Sequence, residues 1–244
     1  MKKELYDTYV QILKDELLPA MGCTEPIAIA YAGAIARETL GCIPDRVEIE
    51  VSRNIIKNVK SVIVPHTGGL RGIEAAAAIG IIAGNAKRQL EVISSVTEQE
   101  IEETRKYLEE TALHVDFSKS PLIFDIGITV FHGEEQAYVR IVDYHTNVVT
   151  IRHNDQTILS AEITGRTETS MADKSTLTIR DICEFAEIVK IEDVQAVLDR
   201  QISYNMAIST EGIQNSYGAN IGRVLLHTYG ENDVKIRAKA MAAA

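Results

Sequence analysis

Cysteine is scarce in this chain: Cys23, Cys42 and Cys183 are the three thiols in 244 residues, too few and too scattered for a disulfide framework. A reducing compartment fits, where a thiol stays free or binds metal. Basic residues are in the minority, 25 against 35 acidic, for a formal charge of −10. A surface of that sign repels phosphate backbones and anionic lipid, so neither nucleic acid nor a membrane surface is expected as a partner. Long apolar runs are missing as well. The longest, Ile73 to Gly84, is broken by Glu74 and falls short of the ~20 residues that cross a bilayer. Met1-Lys2-Lys3-Glu4 leads into amphipathic residues rather than an apolar leader, so a soluble, cytoplasmic protein is expected.

Several chemistries lose their sequence support in the same way. There is no G-x-x-x-x-G-K or G-x-G-x-x-G loop, no serine-hydrolase elbow, no zinc spacing and no Cys-x-x-Cys. No lysine has a context that singles it out for a pyridoxal phosphate Schiff base.

The chain does have a core's worth of apolar residues, 45% of its length. Leu5, Tyr9, Ile12, Leu13 and Leu17 recur at helical spacing up to Pro19. A second helix is predicted to open at Thr24, with Glu25 and Pro26 in its first turn, and to close at Gly41. Arg46–Val51 alternates as a strand, and Ser61–Pro65 reads as a short one. A small-residue helix over Gly72–Ala83 and a charged, solvated helix over Glu98–Thr111 follow. Strands are then predicted at Leu113–Phe117, Leu122–Phe131, Gln136–Asp143, Val148–Arg152 and Thr157–Ile163. Gly165–Ser175 reads as a linker, and helices occupy most of the remainder.

The predicted architecture is α+β, with helical segments flanking a mixed or antiparallel sheet subdomain. Residues 1–111 form an α/β part with a cysteine loop and a glycine loop, 112–165 an antiparallel β-rich part, and 166–244 a helical part. Asp233–Ala244 favours helix and carries no Gly, Asn or Pro stop after it, so the chain is expected to be cut short there.

Gly22-Cys23-Thr24-Glu25-Pro26 is the sharpest local signal. A cysteine just before a helix sits in the positive field of the first turn, which favours thiolate, the form a nucleophile or metal ligand takes. A structural capping turn is the plainer alternative. Cys42 and Cys183 read as buried small hydrophobes. Pro65-His66-Thr67-Gly68-Gly69 offers N–H groups and a hydroxyl to an anion such as a substrate carboxylate, or is a tight turn that needs glycine. Tyr144-His145-Thr146-Asn147 connects two predicted strands, and Asn54–Asn58, with Lys57, lies between two others. The other histidines, His114, His132, His153 and His227, read as surface or turn residues.

In order, the stretches Gly22–Pro26, Asn54–Asn58, Val64–Gly72, His145–Asn147, Tyr217–Gly222 and Ala238–Ala244 resemble the L-cysteine desulfidase family, of UPF0597 type, itself similar to the α-chain of iron–sulfur L-serine dehydratases. That resemblance covers essentially the whole chain. It implies a lyase of amino-acid catabolism that splits L-cysteine to pyruvate, ammonia and sulfide. It also implies a four-iron–four-sulfur cluster held by three cysteines, one iron being left open as a Lewis acid for the leaving group. Cys23 is then one ligand, and the other two belong to a C-terminal helical half that is absent here. This span alone is therefore expected to be apo and inactive unless a partner chain supplies that half; a homodimer is the other assembly expected. Thr24, Glu25, Asn58, His66, Thr67, Gly68, Gly69, His145, Thr146 and Asn147 become the candidate substrate-binding residues, with Lys57 the candidate for the base. The alternatives are an L-serine dehydratase-like ammonia-lyase, and a non-catalytic small-molecule-binding or assembly subunit.

Overall fold

Alternation decides the sheet. In β1 (Arg46–Val51) the inward residues Val47, Ile49 and Val51 are buried, while Glu48 and Glu50 point to the opposite face. The same period buries Ile126, Ile128 and Val130 in β3 (Asp125–His132), and Ala137, Val139 and Ile141 in β4 (Glu135–Val142). With β2 (Ala112–Phe117), β5 (Val148–His153) and β6 (Gln156–Ser160), these form one six-stranded sheet of order β2-β1-β3-β4-β5-β6. The computed structural model describes residues 1–20, 22–163 and 173–243, with Asp233 described in its backbone alone.

Helices cover the apolar face. The helix α2 (Thr24–Leu40) packs on β3, β4 and α4 (Gly72–Ala83), and α4 in turn meets α5 (Glu98–Glu110). Both α2 and α4 are Ala- and Gly-rich and almost wholly buried, so their backbones approach closely. A Cβ placed on Gly80 would lie 2.0 Å from the Ala30 carbonyl oxygen, and one on Gly33 would lie 2.8 Å from that of Ala77. The other sheet face stays polar: the Arg46 guanidinium lies over Phe131 at 3.6 Å, and Arg152 lies over Tyr138 at 4.6 Å. Between β1 and β2 the chain makes α3 (Arg53–Val59), α4 and α5, the length of crossover that a parallel pair requires.

By its contacts the chain divides into two units, Pro19–Thr169, which holds the sheet, and Met1–Leu18 with Ser170–Ala244. The second comprises α1 (Lys3–Glu16), α6 (Ile179–Ile188), α7 (Ile191–Gln214), α8 (Ile221–Tyr229) and α9 (Glu231–Ala243). Its core gathers Tyr9, Val10, Ile12, Phe185 and Val194. Among the described residues no helix is long and apolar enough to cross a membrane.

The α+β architecture agrees with the sequence reading, and α2 begins and ends at the predicted residues, with Gly41 in the left-handed region at φ 86°. Other local readings are corrected. Ser61–Pro65 is not a strand: it contributes one isolated bridge, Ile63 to Arg71. Asn54–Asn58 belongs to α3, because buried Ser52 caps that helix by accepting the Ile55 N–H. The sheet is mixed, one of the two expected forms, and β2 pairs parallel with β1, so residues on both sides of the expected boundary between 111 and 112 lie in one sheet-bearing unit. Cys42 and Cys183 are exposed rather than buried. Most of the predicted linker Gly165–Ser175 lies outside the described residues.

Candidate functional site

Cys23 occupies the N-cap position of α2 with its thiol free and exposed. It does not accept a capping hydrogen bond from the helix. Instead Sγ donates to Glu25 Oε2 at 3.2 Å, and Thr24 Oγ1 reaches the same oxygen at 3.5 Å. The other carboxylate oxygen of Glu25 accepts Asn58 Nδ2 at 3.2 Å, which ties the first turn of α2 to α3. Gly22, at φ 141°, lies against the second loop: a Cβ there would be 3.1 Å from Pro65 Cγ.

Glu25 and His145 also interact through charge, with no hydrogen bond or ion pair between them among the described residues. The imidazole is half-buried and meets the Phe124 ring edge-on, centroids 4.7 Å apart and planes at 66°. Burial holds His145 below the ordinary histidine value, and the Glu25 charge opposes that only in part. The ring is therefore neutral near pH 7 and can accept a proton. For Glu25, burial pushes upward, but the donors Cys23, its own backbone N–H and Asn58, with the His145 charge, outweigh it and hold the carboxyl below its usual range. Burial and the Glu25 carboxylate push the Cys23 thiol up, against a weaker pull from the Glu25 N–H. The helix end alone favours a thiolate, but burial, joined by an acceptor carboxylate two residues on, reverses the balance.

The structure thus brings Cys23, Thr24 and Asn58 onto the Glu25 carboxylate, which interacts with His145 through charge, with the Pro65 loop alongside Gly22. The remaining candidates divide. Thr67 is buried, and its hydroxyl is spent on the Val64 and Leu70 carbonyls at 2.7 and 3.4 Å, stapling the loop. His66, Gly68 and Gly69 are exposed in the left-handed region, at φ 56°, 62° and 97°. Among the described residues no backbone carbonyl takes their N–H groups, which are open to an anion, and Arg105 Nη2 anchors the loop through the Gly68 carbonyl at 3.0 Å. Asn147 Nδ2 donates to Val142 O at 3.0 Å, so that amide braces its own turn, beside half-buried Thr146. Lys57 is exposed on α3, and no hydrogen bond or ion pair among the described residues joins it to this cluster.

Two participants were not visible in the sequence. Phe124 supports His145, and Asp143 stands at φ 67° with Oδ2 buried and, among the described residues, without a hydrogen-bond partner. An apolar residue before a strand and an acid at a turn carry no local signal of such roles. A cavity of about 520 Å³ lies on the polar sheet face between Glu48, Tyr138 and Arg152, and none of the candidate residues lines it.

A four-iron–four-sulfur cluster needs three thiolates. Among the described residues no three His, Cys, Asp or Glu side chains gather as a group able to hold a metal ion, and Cys23 is instead paired as a donor with Glu25. The residues of this span do not by themselves fit that group.

Fold and site together define an α+β protein with a cysteine–carboxylate pair at the mouth of a buried helix and a half-buried imidazole within reach of its charge. Relatives across its length are UPF0597 proteins. That of Desulfitobacterium hafniense is 55% identical over 239 residues, 98% of this chain and 55% of the relative. That of Lachnoclostridium phytofermentans is 46% identical over 98% of this chain and 57% of the relative, and that of Treponema denticola 39% identical over 100% and 58%. This likeness supports the UPF0597 family, and the chain spans somewhat more than half the length of these relatives. No family model and no solved structure matches the chain.

Proposed function

We propose that this chain forms the substrate-facing part of a cytoplasmic β-eliminating lyase acting on a small α-amino acid, L-cysteine first and L-serine as the alternative. The observation that carries this reading is the ionised Glu25 carboxylate, held by Cys23 and Asn58 and facing a neutral, half-buried imidazole.

Elimination needs a carboxylate hold, an ammonium hold and a proton acceptor. The open N–H groups of His66, Gly68 and Gly69 suit the substrate carboxylate, and Glu25 suits its ammonium. His145 then takes the α-proton, a role for which Lys57, exposed on α3, stands in the wrong place. The Cβ–S bond breaks with its electron pair on sulfur, which leaves as hydrosulfide. The resulting 2-aminoacrylate tautomerises to an imine, and water hydrolyses it to pyruvate and ammonia. With serine, water leaves in place of sulfide. Cys23 is offered as one thiolate of an iron–sulfur cluster, a role in which it would give up its proton and its bond to Glu25, leaving Asn58 to hold that carboxylate. The further thiolates would come from residues outside this span or from a partner chain.

The test is anaerobic assay of a full-length gene product reconstituted with iron and sulfide, reading sulfide and pyruvate from L-cysteine and pyruvate from L-serine. Release from one of them, lost in Cys23→Ala and His145→Gln, supports the reading. Binding of the amino acids without any release would replace the lyase with a small-molecule-binding protein.

A further inference from the structure

Ser52 is buried and ties together two segments that the sequence keeps far apart. Its Oγ donates to the Ile123 carbonyl at 2.6 Å and accepts the Ile55 N–H at 3.4 Å, while its own N–H donates to the Asp125 carbonyl at 2.9 Å. On one side, the hydroxyl caps α3, the helix that carries Asn58 to Glu25. On the other, the hydroxyl holds Ile123 and the Ser52 N–H holds Asp125, the two residues flanking Phe124, whose ring edge supports His145. The Phe124 carbonyl in turn accepts the Asp143 N–H at 3.0 Å, at the start of the turn that bears His145.

We propose that Ser52 is a positioning residue of this site, its hydroxyl fixing the distance between the arm that grips Glu25 through Asn58 and the arm that supports His145 through Phe124. Ser52 touches neither Glu25 nor the imidazole, and its catalytic meaning rests on the lyase reading above. The geometric claim stands independently. An N-cap needs only an acceptor, which Ser, Thr, Asp or Asn supplies. The clamp on Ile123 also needs a donor, so a hydroxyl does both where a carboxylate cannot. Without it, the β1–β3 pairing and the Ser52 N–H bond to Asp125 remain, but the hydroxyl link from the α3 cap to Ile123 is lost and the imidazole can drift from its half-buried seat.

The experiment is NMR titration of the His145 ring in this chain, comparing the unaltered protein with Ser52→Ala, Ser52→Gly and Ser52→Thr. The glycine variant guards against loss of folding in the alanine variant, because glycine serves the N-cap position far better than alanine. The expected result is an upward shift of the His145 midpoint toward its ordinary value of 6.5 in Ser52→Ala and Ser52→Gly, with Ser52→Thr like the unaltered chain. A merely structural serine would lower the melting temperature and leave that midpoint in place, and this outcome overturns the proposal, as does a shift in the threonine variant. If the alanine and glycine variants do not fold, the threonine variant alone decides by the same criterion. In a full-length lyase the alanine variant should lose on the order of tenfold in kcat with KM little changed. Absence of activity in the unaltered enzyme would sink the lyase reading while the titration still judges Ser52.

Discussion

The side-chain amide of Asn58 donates to Glu25 Oε1 at 3.2 Å across thirty-three residues of sequence. This one bond joins the helix mouth that carries Cys23 to the short helix that follows β1, and it leaves the second carboxylate oxygen to the thiol. Electrostatics at the site follow from that arrangement, because Glu25 is the charge that both Cys23 and His145 feel.

Removing that charge should move His145 in a definite direction. Glu25 raises the imidazole against the dominant lowering by burial, so Glu25→Gln should depress the His145 midpoint further below the unaltered protein's. Chemical-shift titration of the ring reads this directly. An upward movement would mean that the two groups do not face each other.

Stability should carry the same signature. His145 is depressed in the folded state, so as pH falls the unfolded chain binds the proton first. Its contribution is complete above the ordinary value of 6.5 and is lost as pH drops below that toward the folded value. Glu25 changes little in that window, since its own contribution is complete above its ordinary 4.5 and is lost only below it. Urea midpoints at pH 7, 6 and 5 should therefore fall more steeply for the unaltered chain than for His145→Gln. Parallel slopes would refute the depressed imidazole.

On the polar face of the sheet, Arg140 holds Asp125 through two bonds, Nε to Oδ1 at 2.9 Å and Nη2 to Oδ2 at 3.0 Å, and Ser118 donates a third at 2.6 Å. The Asp125 side chain is 2% exposed and that of Arg140 25%. Arg140→Met strands a buried carboxylate and should cost about 2–3 kcal/mol in urea unfolding, less than the ~3–5 of a wholly buried pair because part of Arg140 already meets water. Combining it with Asp125→Asn should restore part of the loss. A double variant worse than the sum would contradict the pairing.

Close approach of α2 and α4 gives a fourth expectation. Gly80→Ala places a methyl group 2.0 Å from the Ala30 carbonyl oxygen, a backbone atom that cannot swing aside. Separating the helices should cost about 3 kcal/mol or prevent folding. Thermal melting measures it, and an unchanged midpoint would show that the two helices are not in contact there.

A good part of the fold was legible from local pattern. Thr24 and Gly41 bound α2 because a helix start tolerates proline in its first turn and a left-handed ending favours glycine. Val47, Ile49 and Val51 announced a half-buried strand because strand side chains alternate faces. Asn54–Asn58 was misplaced because a seven-residue helix is too short to display a period, and its cap, Ser52, is a common residue.

By itself the sequence determined which segments bury a face and which loops hold reactive groups, since helix and strand periods are properties of neighbouring residues. Only the tertiary structure decided that Glu25, Asn58 and His145 meet, that Thr67 spends its hydroxyl inside its own loop, and that Lys57 stands apart in water. Those outcomes depend on the strand order β2-β1-β3-β4-β5-β6 and on the helical crossover between β1 and β2. Such long-range pairings are fixed by how the buried faces pack together, which no short window of residues encodes.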